Sequence, residues 1–526
     1  MFRNADSLIS RLPTELITMI LQFAVLLGPR TSLYSGLLDH GGGSGYYKEL
    51  SVIRQVCKKW QAIVESNSTF WFYVSSSLPP RLFRKIIEHP SGKRSLFVEH
   101  SANTSLGDGK DYVPAILRQS ESWTSLHVRY TNHSQLLQLL EQPIPRLRKI
   151  HVEYSGTAGT FEISKTGLQT VSLPPLEILR MKDSIFPWRW SAVRDLLVID
   201  VDCHDLCPYF SQGFVDALRS SPRLESLTLR SCRTDFQPHL KLVPIPLQRV
   251  VSLDFKFSPA AAALLEAITC PPSTNISICD KARSLATQDP RVTAAVSHTN
   301  FECTDRVCLK LRPNTMVGVI VGNIDLEMRR LREPFQPTAM LQFYTRFLKP
   351  FSETNGAQVK ALEIELELTC DIAPFMNILD SYFPNITSLV FRCCFYGGIN
   401  TSDPFDVLAK PIEENGKRRW LLPWIEKLVL EAGFGHGRLA KSIIEVIRSR
   451  YSSQASVQTT EASINSEAPT PLKELHIRNY AMLKSEADEL KNILGDAVKF
   501  EDVVFRKVRY LIRRVRFGSL IEPFQL

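Results

Sequence analysis

One short pattern returns along most of this 526-residue chain. It is often a proline, then apolar-x-x-apolar-x-apolar. The clearest copies are "PRLRKIHV" (145–152), "PPLEILRM" (174–181), "PRLESLTL" (222–229), "PNITSLVF" (384–391), "PWIEKLVL" (423–430) and "PLKELHI" (471–477). Weaker copies are "SWTSLHV" (122–128), "RVVSLDF" (249–255) and "VKALEIEL" (359–366). Alternation of apolar and other residues marks a strand whose every second side chain enters a core. Between the copies lie segments with helical spacing, such as "GFVDALRSS" (213–221) and "RLAKSIIEVIRSR" (438–450). One strand and often one helix per unit, repeated at a period in the twenties to forties, is the mark of a stacked array.

This pattern resembles leucine-rich repeats, loosely, because the spacing varies and the consensus asparagine or cysteine is mostly missing. The expected fold is therefore a small all-α module followed by an α/β leucine-rich-repeat-like solenoid with irregular repeat lengths. The array would fill 78–517, with a short tail at 518–526. The competing expectation is an ordinary α/β domain with leucine-rich strands. Residues 452–470, "SSQASVQTTEASINSEAPT", are poor in apolar side chains and are expected to form a disordered loop. Residues 281–300 are a weaker case of the same kind.

The first 77 residues have a different texture. "RLPTELITMILQFA" (11–24) reads as a helix that is apolar on two sides: Leu16, Met19, Ile20 and Phe23 on one, Ile17, Leu21 and Ala24 on the other. Pro13 suits the first turn of that helix, and Gly28–Pro29 ends it. A glycine-rich loop follows over about 28–48. In "KELSVIRQVCKKWQAIVES" (48–66) Leu50, Ile53, Val56 or Cys57, Trp60 and Ile63 or Val64 recur at helical spacing, with Asn67 as the stop. A helix apolar nearly all round needs a cover on both sides.

"LPTEL" at 12–16 with Ile20–Leu21, then "VCKKW" at 56–60, Ile63 and "FW" at 70–71 resemble the two halves of an F-box, over a helical domain spanning 8–77. The segment between the halves is longer than is usual in that family. The resemblance implies that one side of the module packs on itself and the other meets a Skp-family adaptor. It carries the adaptor contact to Leu12, Pro13, Leu16, Ile20, Val56 and Trp60, with Trp60 as the expected anchor because tryptophan dominates interface energetics. The alternative is that all six are plain core.

The remaining signals bound the function. The net charge of +9 is scattered, whereas a nucleic-acid footprint concentrates. Nucleic acid is therefore an unlikely partner. Eleven cysteines without an even framework point to reduced thiols of a cytoplasmic or nuclear protein. No apolar run reaches the ~20 residues needed to span a bilayer. "GFGHG" (433–437) has G-x-G-x-G spacing where a dinucleotide site needs G-x-G-x-x-G. "CHDLC" (203–207) and Cys393–Cys394 lack partner spacings for zinc. No catalytic residue, cofactor or metal ligand is assigned. "VVFRKVRYLIRRVRF" (503–517) offers a helical stripe of Val504, Val508, Leu511 or Ile512 and Val515, as a terminal cap or a basic contact.

These readings combine into a substrate receptor of a Skp–cullin–F-box ubiquitin ligase. The adaptor, and through it a cullin, would hold the first module, and the repeats would hold an unknown target protein. The outward positions of the strands include Arg129, Arg180, Lys182 and Arg230, then Glu363 and Glu365. The four basic residues are expected to grip an acidic or phosphorylated target. The alternatives are an adaptor-binding scaffold without a cullin and a basic nucleic-acid-binding repeat protein.

Overall fold

The structure is a computed structural model that describes residues 11–26, 44–89, 95–101, 112–131, 133–155, 175–182, 195–202, 212–230, 244–256, 260–271, 273–282, 305–312, 316–322, 324–330, 337–367, 373–394, 405–414, 417–432, 438–451 and 469–506. The chain divides into two compact units: residues 1–260 with 267–271, and residues 261–266 with 272–526.

The first unit opens with helices α1 (Thr14–Leu26), α2 (Ser44–Val56) and α3 (Lys58–Ser66). Where one long helix is expected over 48–66, the chain breaks at Cys57, which is extended (φ −161°, ψ 164°). The helix also starts earlier, at Ser44, so part of the expected glycine-rich loop is helical. Asn67 stops α3: its N–H bonds the Ile63 carbonyl at 3.2 Å, and its side chain accepts from the Thr69 N–H at 3.0 Å. The strands that follow are β1 (Tyr73–Ser75), β2 (Leu96–Ser101), β3 (Trp123–Tyr130), β4 (Lys149–Tyr154), β5 (Ile178–Lys182), β6 (Val198–Asp202), β7 (Ser226–Arg230), the short β8 (Ile245–Pro246), β9 (Ser252–Lys256) and the short β10 (Ile268–Thr269). From β1 through β7 to β9 each pairs in parallel with the next, apart from β8, which pairs β10.

Register explains the sequence pattern. Leu126, Ile150, Leu179, Ile199, Leu227 and Leu253 stand opposite one another across β3–β7 and β9, and all are fully buried. Two residues on, Val128, Val152, Met181, Val201, Leu229 and Phe255 form a second buried row. Residues between these rows point to the opposite face.

The second unit contributes β11 (Asn275–Ala282), β12 (Arg306–Arg312), β13 (Met316–Val321), β14 (Ile324–Arg330), β15 (Ala361–Glu367), β16 (Ser388–Cys394), β17 (Ile412–Glu414), β18 (Lys417–Arg419), β19 (Lys427–Ala432), β20 (Glu474–Arg478), β21 (Ala481–Leu483), β22 (Val498–Glu501) and β23 (Val504–Arg506). Here β12, β15, β16, β19, β20 and β22 are parallel neighbours in turn. An antiparallel meander, β12–β13–β14, interrupts the pattern. Gly318 lies within it because an added Cβ would meet the Leu326 carbonyl oxygen at 2.8 Å. Gly322, at φ 56°, serves its hairpin, as a left-handed turn position requires.

This architecture corrects the expected one. A small all-α module followed by a solenoid is not what forms. The chain is a large mixed α/β fold with a 17-stranded, mostly parallel sheet. The helical segment is not a separate module, because β1 lies inside it and joins β2 in the sheet: Tyr73 and Val74 are fully buried. The antiparallel meander likewise breaks any strand-and-helix repeat. The quoted apolar patterns do fall on strands of this sheet, but strands alone do not specify repeats. Val504 to Arg506 is a strand paired with β21, not a helical stripe. Residues 433–437, 203–207, 507–526 and 452–468 lie outside the described residues. No helix among the described residues is long and apolar enough to cross a membrane.

Candidate functional site

Helix α1 answers the question its sequence raises. Ile17, Leu21 and Val25 are buried, Ile17 at 1% exposure. Leu16, Met19, Ile20 and Phe23 stand in solvent, Phe23 at 56%. On α2, Val52 and Val56 are also exposed. Scattered exposed apolar residues are ordinary, but four on one helical face are not. The helix is fixed in place: Gln22 donates to the Thr69 hydroxyl at 2.6 Å, and Lys59 donates to the Leu12 carbonyl at 3.4 Å.

The support beneath is aromatic. Trp71 is fully buried and donates from Nε1 to the Val64 carbonyl at 2.7 Å. Its ring centre lies 6.1 Å from that of Tyr47 and 5.8 Å from that of His89, with the Lys85 ammonium 4.9 Å from it. Arg54 and Lys85 both pair with Glu65. Hydrogen bonds from Gln61 and Arg54 hold the Glu65 carboxyl below its ordinary pKa.

Of the six residues expected at an adaptor contact, Leu16, Ile20 and Val56 are exposed apolar side chains. Pro13 is exposed, while Leu12 and Trp60 are half-buried. Trp60 is thus neither sealed in the core nor fully presented. Met19, Phe23 and Val52 complete the exposed set. Met19 and Phe23 share the wheel face of Leu16 and Ile20, and Val52 precedes Val56 by one turn. Helical spacing already groups Met19 and Phe23 with that face and could have found Val52, although none of the three matches a motif position.

The four basic residues expected to hold a target stand on the non-core face of the first unit's strands. Each has a carboxylate beside it. Arg129 donates to Glu153 Oε2 through Nε (3.0 Å) and Nη2 (2.8 Å), and Lys182 donates to Glu153 Oε1 at 3.1 Å. Arg180 lies 4.0 Å from Asp200, and Arg230 lies 3.8 Å from Asp254. Burial raises the Glu153 pKa, but the two cationic donors outweigh it and hold the carboxyl below its ordinary value. Burial pushes Asp200 upward.

One row inward, the rings of His127 and His151 stack at 4.3 Å and 4°. Burial lowers His127 to about 4. Burial and then His127 lower His151 to about 3. Both are neutral at pH 7. Among the described residues, His127 Nε2 and His151 Nδ1 have no hydrogen-bond partner. On the other side, His127 Nδ1 lies 3.8 Å from Glu99, which also accepts from the Tyr73 hydroxyl.

In the second unit the expected outward position of Glu363 is corrected: it is buried. It pairs with Arg306 and Arg392, and Arg392 also lies 3.8 Å from Glu365. Cys308, Glu363 and Glu365 bring ligand atoms within 4.8 Å of one another. Yet burial pushes the Cys308 thiol up to about 11, and metal binding needs the thiolate. With two guanidiniums already on Glu363, the group is an ion-pair cluster of the sheet.

No protein-family model matches the chain, and no curated protein matches it.

Proposed function

We propose that this chain is the substrate-recognition subunit of a Skp–cullin–F-box ubiquitin ligase. The observation that carries the reading is the apolar face of α1, formed by Leu16, Met19, Ile20 and Phe23. It is exposed on a helix that already buries its opposite face. A surface of this kind needs an external cover, and its sequence is where the F-box resemblance lies. In this reading α1, α2 and α3 dock on a Skp-family adaptor, and the charged sheet face holds the target. The chain performs no chemistry. It raises the local concentration of a target lysine near the conjugating enzyme carried by the cullin arm. Cytoplasm and nucleus are the compartments where such a ligase acts.

The test is a binding titration of the full chain with a purified Skp-family adaptor. Ile20→Asp/Phe23→Asp is the main variant, because both positions are exposed and the substitutions leave the core intact. Binding by the wild type that the variant loses supports the docking face. Absence of binding by a folded wild type overturns it. Cullin co-purification then separates a ligase subunit from an adaptor-bound scaffold.

A further inference from the structure

We propose that the outer charged row of the first unit's sheet is a comb for an acidic peptide in the polyproline II conformation. The peptide would cross the strands with an anionic side chain at every third residue. This rests on the target-holding part of the reading above and is independent of its adaptor-docking part.

The row is set by strand register: Arg129, Glu153, Lys182, Asp202 and Arg230 stand opposite one another on β3, β4, β5, β6 and β7. From β3 to β7 the signs alternate, so the cations occupy every second strand; beyond them Lys256 on β9 stands opposite Arg230 and ends the row with a second cation. Neighbouring strands lie about 4.8 Å apart, which spaces like charges at about 9.6 Å. Depth separates the two signs on β3, β4 and β5. The Glu153 side chain is 13% exposed, while Arg129 is 43% and Lys182 49% exposed. The carboxylate sits low and the cations rise above it. Glu153 also fixes its two neighbours, accepting from Arg129 on one oxygen and from Lys182 on the other. Cations ordered in advance lose less entropy when a ligand arrives.

A ligand must match that spacing. Polyproline II has three residues per turn and rises about 3.1 Å per residue, so one side chain in three returns to the same side about every 9.3 Å. A β-strand returns a side chain about every 6.8 Å and falls out of step. The intervening peptide residues turn away from the sheet but pass over Glu153 and Asp202. They must therefore be uncharged, because a run of acids would place anions on those carboxylates.

The experiment uses the full chain and two fluorescent peptides of identical composition in anisotropy titrations. One is five consecutive repeats of aspartate-proline-proline. The other is a block of five aspartates followed by a block of ten prolines. The repeat peptide is expected to bind at least tenfold more tightly than the block peptide. Arg129→Gln/Lys182→Gln/Arg230→Gln, with an unchanged circular-dichroism spectrum, is expected to remove that preference. Lys182→Gln alone, which leaves the Arg129–Glu153 bonds in place, should weaken binding about threefold. Equal affinity for the two peptides, or a triple variant that binds like the wild type, overturns the proposal. So does an oligo(dT) of the same length that binds more tightly than either peptide, since the face would then suit nucleic acid. Adaptor binding is measured on the same preparations. Adaptor bound without peptide removes the comb alone, and peptide bound without adaptor removes the docking reading alone.

Discussion

Phe23 and Ile17 lie on opposite faces of α1, and truncating each to alanine should have opposite consequences. Phe23 is 56% exposed. An aromatic side chain buries roughly 200 Å² when fully covered, so a partner would cover about 110 Å² more. At about 25 cal/mol per Å² that is about 2.8 kcal/mol. The methyl group kept by alanine reduces the loss to about 2–2.8 kcal/mol, or a 30- to 100-fold weaker Kd, since 1.4 kcal/mol is tenfold. Stability should move by less than about 0.5 kcal/mol, as for most surface changes. Ile17, at 1% exposure, should do the reverse: Ile17→Ala should cost about 2–5 kcal/mol of stability. Calorimetric titration with a Skp-family adaptor and thermal unfolding read the two effects separately. A Phe23→Ala chain that binds with wild-type affinity, or one that unfolds as early as Ile17→Ala, would refute the assignment of the two faces.

Three further outcomes follow from the packing. Arg450 is fully buried and donates to the Leu421 carbonyl at 3.0 Å and the Leu422 carbonyl at 2.9 Å. Arg450→Met should therefore destabilise the second unit by about 3 kcal/mol, with faster amide exchange over residues 405–422. His127 and His151 have folded pKa values of about 4 and 3, below the unfolded value near 6.5. The unfolded chain then binds the extra protons, so stability is intact above pH 6.5 and declines as pH falls toward 4 and 3. His127→Gln/His151→Gln should flatten that part of a denaturation profile, and a wild-type imidazole resonance that titrates near 6.5 and is missing from the double variant would contradict it. Gly318→Ala drives a Cβ against the Leu326 carbonyl and should lower Tm, at a cost of about 1–3 kcal/mol.

What the sequence reveals here depends on distance along the chain. Alternation at Leu126–Val128 or Leu227–Leu229 is local, so strands could be placed from it. Which strands pair is not local. Nothing near Tyr73 announces that it will join Phe97, and nothing in "MVGVIV" says that β13 runs antiparallel to both neighbours. The break at Cys57 is hidden because the apolar spacing continues through it. The same limit applies to the surfaces. The exposed face of α1 is a helical-wheel property, legible at Leu16 and Ile20. Arg129 reads as outward, but its carboxylate lies 24 residues away on another strand. Glu363 reads as outward by alternation and is buried, because Arg306 and Arg392 close over it.

The alternating row from Arg129 to Arg230 also restricts how this chain can change over generations. Glu153→Lys alone would set three cations on adjacent strands about 4.8 Å apart, with repulsion of about 1–3 kcal/mol toward each neighbour. Within β3–β6 a sign change avoids that repulsion when a neighbouring strand changes with it, some 20 to 30 residues apart in the gene product, whereas the β7–β9 end already sets Arg230 opposite Lys256. Descendants of this sequence should therefore change the charges of Arg129, Glu153 and Lys182 together more often than singly, so that the centre of the row is inherited as one character.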